Sequence, residues 1–153
     1  MTEWNTGSQL APPVNVYPDD GTGTPTDPTA AYTFSAPQDM AGFILGEYTI
    51  TTSGDVPTSF EVKRQWADAA DLTAALALAD ADWCDEDREG VSPGAFLAQK
   101  EVGTIADSTG SPANGVYRVR VERWSRRWSR LALKRTGGGA GTLVAATFTK
   151  AKE

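Results

Sequence analysis

The chain is 153 residues long, with 14 basic and 20 acidic side chains for a net charge of −6, no histidine, and a single cysteine, Cys84. That length suits one domain with one core, burying roughly 68 to 70% of the unfolded surface. The lack of histidine removes the usual general base at neutral pH, the Ser-His and Cys-His nucleophile systems and the commonest transition-metal ligand, and a lone cysteine excludes an intrachain disulfide.

The first residues, Met1 to Gly7, contain neither a basic region nor an apolar run, and no later window holds the roughly 18 consecutive apolar residues of a spanning helix. A soluble product without a classical secretion signal and without membrane contact is expected. Residues 1–30 are rich in proline (Pro12, Pro13, Pro18, Pro25, Pro28), glycine, threonine and aspartate, which predicts an extended N-terminal arm rather than a folded element. Its widely spaced large apolar residues Trp4, Leu10, Val14 and Tyr17 are the expected anchors of that arm on a partner. Residues 31–153 are expected to form the folded domain.

From residue 31 the pattern is β. Ala31–Ala36 reads as a short strand. In Gly42–Thr52, Phe43 and Leu45 fall on one side and Ile44, Tyr48 and Ile50 on the other, a period of two with both faces apolar, which predicts a deep strand. After a turn at Gly54–Pro57, Thr58–Trp66 places Phe60, Val62, Arg64 and Trp66 on one face and Glu61, Lys63 and Gln65 on the other, as in a half-exposed antiparallel strand. Asp68–Asp80 is alanine-rich, and Asp71 is placed to cap a short helix that buries Leu72 and Leu76 at spacing i, i+4. Residues 84–114 hold only scattered apolar residues and read as a long loop with one short strand at most.

The last third is predicted to form a meander of three strands. Val116–Arg123 turns Tyr117, Val119 and Val121 inward and Arg118, Arg120 and Glu122 outward. Arg127–Arg135 follows a tight connection near Ser125 and Arg126, with Leu131 and Leu133 inward, and Leu143–Thr149 closes after the glycine-rich turn at Gly137–Gly141. Between Val116 and Arg135 eight basic residues stand against the single acid Glu122, a local charge of +7 that leaves −13 for the rest of the chain. Such asymmetry suits docking onto copies of itself or onto an acidic neighbour.

The expected contact residues of this segment are Arg123, Trp124, Arg126, Arg127, Trp128 and Arg130, because exposed Trp and Arg are enriched at interface hot spots. Core packing of the tryptophans and simple solvation of the arginines stand as the alternatives. A net charge of −6 repels a nucleic-acid duplex beyond the patch, so no specific nucleic acid is expected.

The densest acidic set is Asp80, Asp82, Asp85, Glu86, Asp87 and Glu89. Reading Asp85 as the first position of a calcium loop puts Phe96 where a bidentate carboxylate is required. A solvated acidic loop is therefore expected, with no metal, no cofactor and no catalytic residue. The glycines at 137–141 match no phosphate-binding pattern, because no Lys-Ser/Thr pair follows them.

The runs from Gly115 to Val121 (GVYRVRV), from Trp128 to Gly137 (WSRLALKRTG) and from Gly141 to Ala146 (GTLVAA) resemble the C-terminal strands of small β-sandwich accessory proteins of tailed-bacteriophage virions, including head-decoration proteins. In that family an aromatic-x-Arg-Leu strand, a Thr-Gly turn and an alanine-rich closing strand follow one another. The resemblance implies a non-enzymatic structural protein of the virion, assembled in the host cytoplasm, that binds the major capsid protein or another virion protein, with homo-oligomerisation and an arm reaching across subunits. The expected fold is an all-β antiparallel sandwich, jelly-roll-like, with one short helix and an extended N-terminal arm. The alternative function is a carbohydrate-binding module of a phage fibre or surface protein, using Trp124, Trp128 or Trp83 as a sugar-stacking platform.

Overall fold

The computed structural model describes residues 11–54, 59–85, 115–122, 126–136 and 141–152. Among the described residues, nine strands run in chain order: β1 (Val14–Tyr17), β2 (Thr33–Phe34), β3 (Gln38–Asp39), β4 (Leu45–Gly54), β5 (Ser59–Ala67), β6 (Cys84–Asp85), β7 (Gly115–Glu122), β8 (Trp128–Thr136) and β9 (Thr142–Ala151). One helix, α1 (Leu72–Ala77), and a 3₁₀ turn (Asp80–Asp82) separate β5 from β6.

The strands form two antiparallel sheets, one ordered β1-β9-β4-β7 and the other β2-β8-β5-β6, with β3 also paired to β8. Their partners are nested: β1 pairs with β9, β2 and β3 with β8, β4 with β7, and β5 with β6. A chain that pairs its ends, then the segments inside them, then its middle is one long hairpin. Rolling that hairpin up adds the pairs β4·β9 and β5·β8 and produces the two sheets of a jelly roll.

This arrangement corrects the meander. β7 and β9 lie on either side of β4 in the first sheet, while β8 sits in the second. The inward faces of β7 (Tyr117, Val119, Val121) and β8 (Leu131, Leu133) are all buried and join one core. Placed side by side in one sheet, these faces would leave the other sheet nothing to pack against.

The segment expected as an arm belongs to the sandwich over its described part. Val14–Tyr17 adds to the edge of β9, and Val16 and Tyr17 are 0% and 3% exposed. Thr26 bridges to Val144 with both backbone bonds, N to O at 2.9 Å and the reverse at 2.8 Å. Having paired with the first sheet, the chain crosses to the second through β2 and β3, and so closes one open side of the sandwich. Covering sheet edges in this way removes sites for unwanted strand pairing.

Two further expectations change with burial. On β4 only one face is buried, through Gly46, Tyr48, Ile50 and Thr52, whereas Ile44 and Leu45 are exposed. Both neighbours of β4 are strands, so its backbone is central although its outer face is open. In α1, Asp71 caps the helix through its side chain, which accepts from Ala74 N at 2.9 Å, but Leu72 and Leu76 are exposed and Ala75 is the buried residue. The helix packs through Ala75 against Ala67, Trp83 and Trp128.

The main core is knitted by close contacts within the first sheet and across to the second. Tyr48 and Phe148 rings lie 4.4 Å apart, and an ideal Cβ on Gly46 would come 2.5 Å from the Phe148 ring, so glycine makes the room that this ring occupies. Tyr48 also reaches the second sheet, with its hydroxyl 2.9 Å from Ser129 Oγ. Among the described residues no helix is long and apolar enough to cross a membrane.

Candidate docking surface

The basic segment divides between two sheets. The alternation of β7 sends Arg118 and Arg120 to the outer face of the first sheet, where they stay 69% and 83% exposed. Glu47 on β4, in register with Arg120, lies between them, 3.4 Å from the Arg118 Nε and 3.5 Å from the Arg120 Nε. Val116 extends the same face and is 59% exposed.

The other described arginines of the segment, Arg126, Arg127, Arg130 and Arg135, lie on β8 or just before it and meet acids within the chain. Arg127 forks onto Asp39 (Nε to Oδ1 2.8 Å, Nη2 to Oδ2 2.7 Å) and donates from Nη1 to Ala70 O. Arg126 stands 3.6 Å from Asp68, whose other oxygen accepts the Arg127 backbone N–H. Arg135 forks onto Asp27. Charge-assisted forks of this kind are the stronger class of hydrogen bond. They hold the Asp39 and Asp27 carboxyls below the usual carboxylate range, chiefly through the bonds from Arg127 and Arg135.

Arg130 is the most enclosed of the set. Its side chain is buried, donates from Nε to Gln65 Oε1 at 2.8 Å and lies 3.3 Å from Asp80. Its guanidinium carbon is 3.7 Å from the Phe34 ring centre and 4.4 Å from that of Trp83, a cation held between two aromatic faces. Burial pulls the Arg130 pKa below its ordinary value.

These placements sort the expected contact residues. Trp128 is 3% exposed, donates from its indole N–H to Ala69 O at 3.0 Å and packs with Trp83 and Ala75. It takes the core alternative, as does Trp83, so neither indole offers a surface for stacking a sugar. Tyr17 and Arg130 are likewise buried within the chain, because β1 and β8 turn them inward or beneath neighbours. Val14 is exposed, and Arg126 and Arg127 are half-buried. Trp4, Leu10, Arg123 and Trp124 lie outside the described residues.

The acids are engaged as well. Asp80 faces Arg130, Asp82 accepts from Ala79 N at 3.0 Å, and Asp85 binds Lys63 at 3.0 Å and Gln65 at 2.9 Å. Among the described residues no three His, Cys, Asp or Glu side chains are grouped to hold a metal ion. Glu86, Asp87 and Glu89 lie outside the described residues.

Sequence reasoning placed Arg118 and Arg120 on the outward face but did not single them out as a site, because +7 was read as one patch. The parity of β7 was the signal that separates them from the arginines of β8. The pairings with Asp27 and Asp39 span 108 and 88 residues, and no local pattern announces them. No protein-family model matches this chain, and a search of curated proteins finds none similar to it.

Proposed function

We propose that this chain is a non-enzymatic structural protein of a tailed-phage virion, a capsid-decorating or cementing subunit that binds the major capsid protein lattice. One observation carries the reading. The three runs that resemble phage accessory proteins are the strands β7, β8 and β9, which contribute to both sheets of a jelly roll. That architecture recurs in viral capsid domains.

The docking surface in this proposal is the outer face of the first sheet, not the connection between β7 and β8. Arg118 and Arg120 project from it beside Val116, a combination of donors and apolar area suited to an acidic protein surface. The double substitution Arg118→Ser with Arg120→Ser is expected to weaken cosedimentation with purified capsid shells and to remove most of its salt dependence, since exposed charges are screened over about 8 Å at physiological ionic strength. The melt is expected to stay unchanged. Cosedimentation equal to that of the parent chain at low salt would contradict the assignment of this face.

A further inference from the structure

We infer that one end of the sandwich is a contact site for a second copy of this chain, in which α1 of each copy packs on the joined ends of β4 and β9 of the other. Seven large hydrophobic side chains stay exposed among the described residues, and four of them, Ile44, Leu45, Leu72 and Leu76, collect at this end. Exposed apolar residues scattered singly are ordinary, whereas several gathered in one place mark an interaction surface.

The sequence sets the two pairs far apart, and the fold joins them. β4 begins where β9 ends, with Leu45 in register with Ala151 and the Ile44 N–H donating to Ala151 O at 3.1 Å. α1 follows the end of β5, where Ala67 lies opposite Trp128 at the start of β8. A short series of bonds connects these places. Arg127 donates to Ala70 O, just before α1, and forks onto Asp39. The Asp39 backbone oxygen accepts from Lys150 Nζ, which lies 4.3 Å from the Phe43 ring centre, next in the chain to Ile44.

The two halves of this end differ in charge. Asp71 and Asp82 stand on either side of α1 in the chain, and both are exposed. Asp71 accepts from the Ala74 N–H and Asp82 from the Ala79 N–H, and among the described residues neither makes an ion pair. Ile44 and Leu45 stand instead beside the lysines that close β9. Lys152 is exposed, 5.8 Å from the Phe43 ring centre, and meets no acid among the described residues.

An acidic apolar half and a basic apolar half on one end complement each other across a two-fold axis. The rotation that brings α1 of one copy onto Ile44, Leu45 and Lys152 of the other makes the reciprocal contact at the same time, the isologous arrangement of the commonest oligomers. The Arg127–Asp39 fork lies between the halves with its charges already matched. A basic partner of another kind would cover α1 alone, whereas a second copy covers both halves.

The test is sedimentation equilibrium of the full chain over a concentration series, with two double variants, Leu72→Ser with Leu76→Ser and Ile44→Ser with Lys152→Glu. The parent is expected to form a dimer that weakens as salt is added, and each double variant to raise the dimer dissociation constant at least about tenfold. Melts of the variants, taken on chain dilute enough to be monomeric, are expected to match the parent. Lys152→Glu alone removes no buried group and is expected to act in the same direction, which keeps the test open if a serine variant melts early. An equal mixture of the two double variants keeps one of the two contacts intact, and is expected to associate more tightly than either variant by itself. A parent that stays monomeric up to about 1 mM, a dimer that either double variant leaves unchanged, or a mixture no tighter than its components would overturn the assignment. Capsid attachment is read out separately, through Arg118 and Arg120.

Discussion

Arg135 and Asp27, 108 residues apart, form a two-pronged ion pair, with Nε 2.7 Å from Oδ1 and Nη2 3.1 Å from Oδ2. At the opposite end of β8, Arg127 and Asp39 repeat the arrangement. The N-terminal segment is thus fastened along β8 by a fork at each end, with β2 and β3 paired between them. The hydrogen bonds from Arg135 and Arg127 hold both carboxyls below the usual carboxylate range in the folded chain, so the unfolded chain binds protons more readily.

The stability these forks contribute is complete above the unfolded value and is lost as pH falls through the lower, folded ones. The melting temperature is expected to hold from neutral pH down to about pH 5 and to fall steeply below about pH 4. Asp27→Asn combined with Asp39→Asn lowers the neutral-pH melt by a few degrees and flattens the acid slope. An unchanged slope in the double variant, measured by circular dichroism melts across pH, would count against the forks.

Removing residues 1–30 deletes β1 together with Asp27. Burying side chains such as Val16 and Tyr17 contributes about 1.5 to 3 kcal/mol each, against a total stability of about 5 to 15 kcal/mol. The truncated chain is expected to melt on the order of 10 °C lower, or to lose its cooperative transition. Deletion of residues 1–10 alone keeps β1 and is expected to leave a cooperative melt. A chain lacking residues 1–30 that melts like the parent would show that β1 adds nothing to the sandwich.

Gly46 faces the core under the Phe148 ring, and a methyl group there meets that ring and Val121. Gly46→Ala is expected to cost about 1 to 3 kcal/mol, the range for overpacking a filled core. Adding Phe148→Leu to it should recover part of the loss. Differential scanning calorimetry of the single and double variants checks this, and an additive pair of losses would contradict the contact.

The orientation of α1 separates two substitutions that sequence alone would rank the other way. Leu76→Ser is expected to stay within about 0.5 kcal/mol of the parent, because Leu76 is 64% exposed. Ala75→Leu forces bulk against Trp83 and Trp128 and is expected to cost about 1 to 3 kcal/mol. Urea unfolding of the two variants decides between these faces of the helix.

Local order was readable where one residue's neighbours determine it. The alternation of β7 named Tyr117, Val119 and Val121 as the inner face, and Asp71 announced the helix cap. Partners were not readable, because a period of two states which face is buried and not which strand lies alongside. Hence β7, β8 and β9 read as a meander although they alternate between sheets. The short Val14–Tyr17 strand was hidden among prolines, and its burial depends on β9, more than a hundred residues away. Leu72 and Leu76 misled for a related reason: apolar spacing marks a stripe, but the surface available to α1 accepts only Ala75. For the candidate site, parity exposed Arg118 and Arg120, while the acids that occupy Arg127 and Arg135 arrive from the far end of the chain.

Quantitative mass spectrometry of purified particles from a phage encoding this chain tests the proposed virion role most directly. A decorating subunit is expected in particles at a fixed ratio to the major capsid protein, comparable with it in copy number, and the Arg118→Ser, Arg120→Ser double variant is expected at a reduced ratio. Absence of the chain from washed particles, or presence only in traces relative to the major capsid protein, would contradict that role.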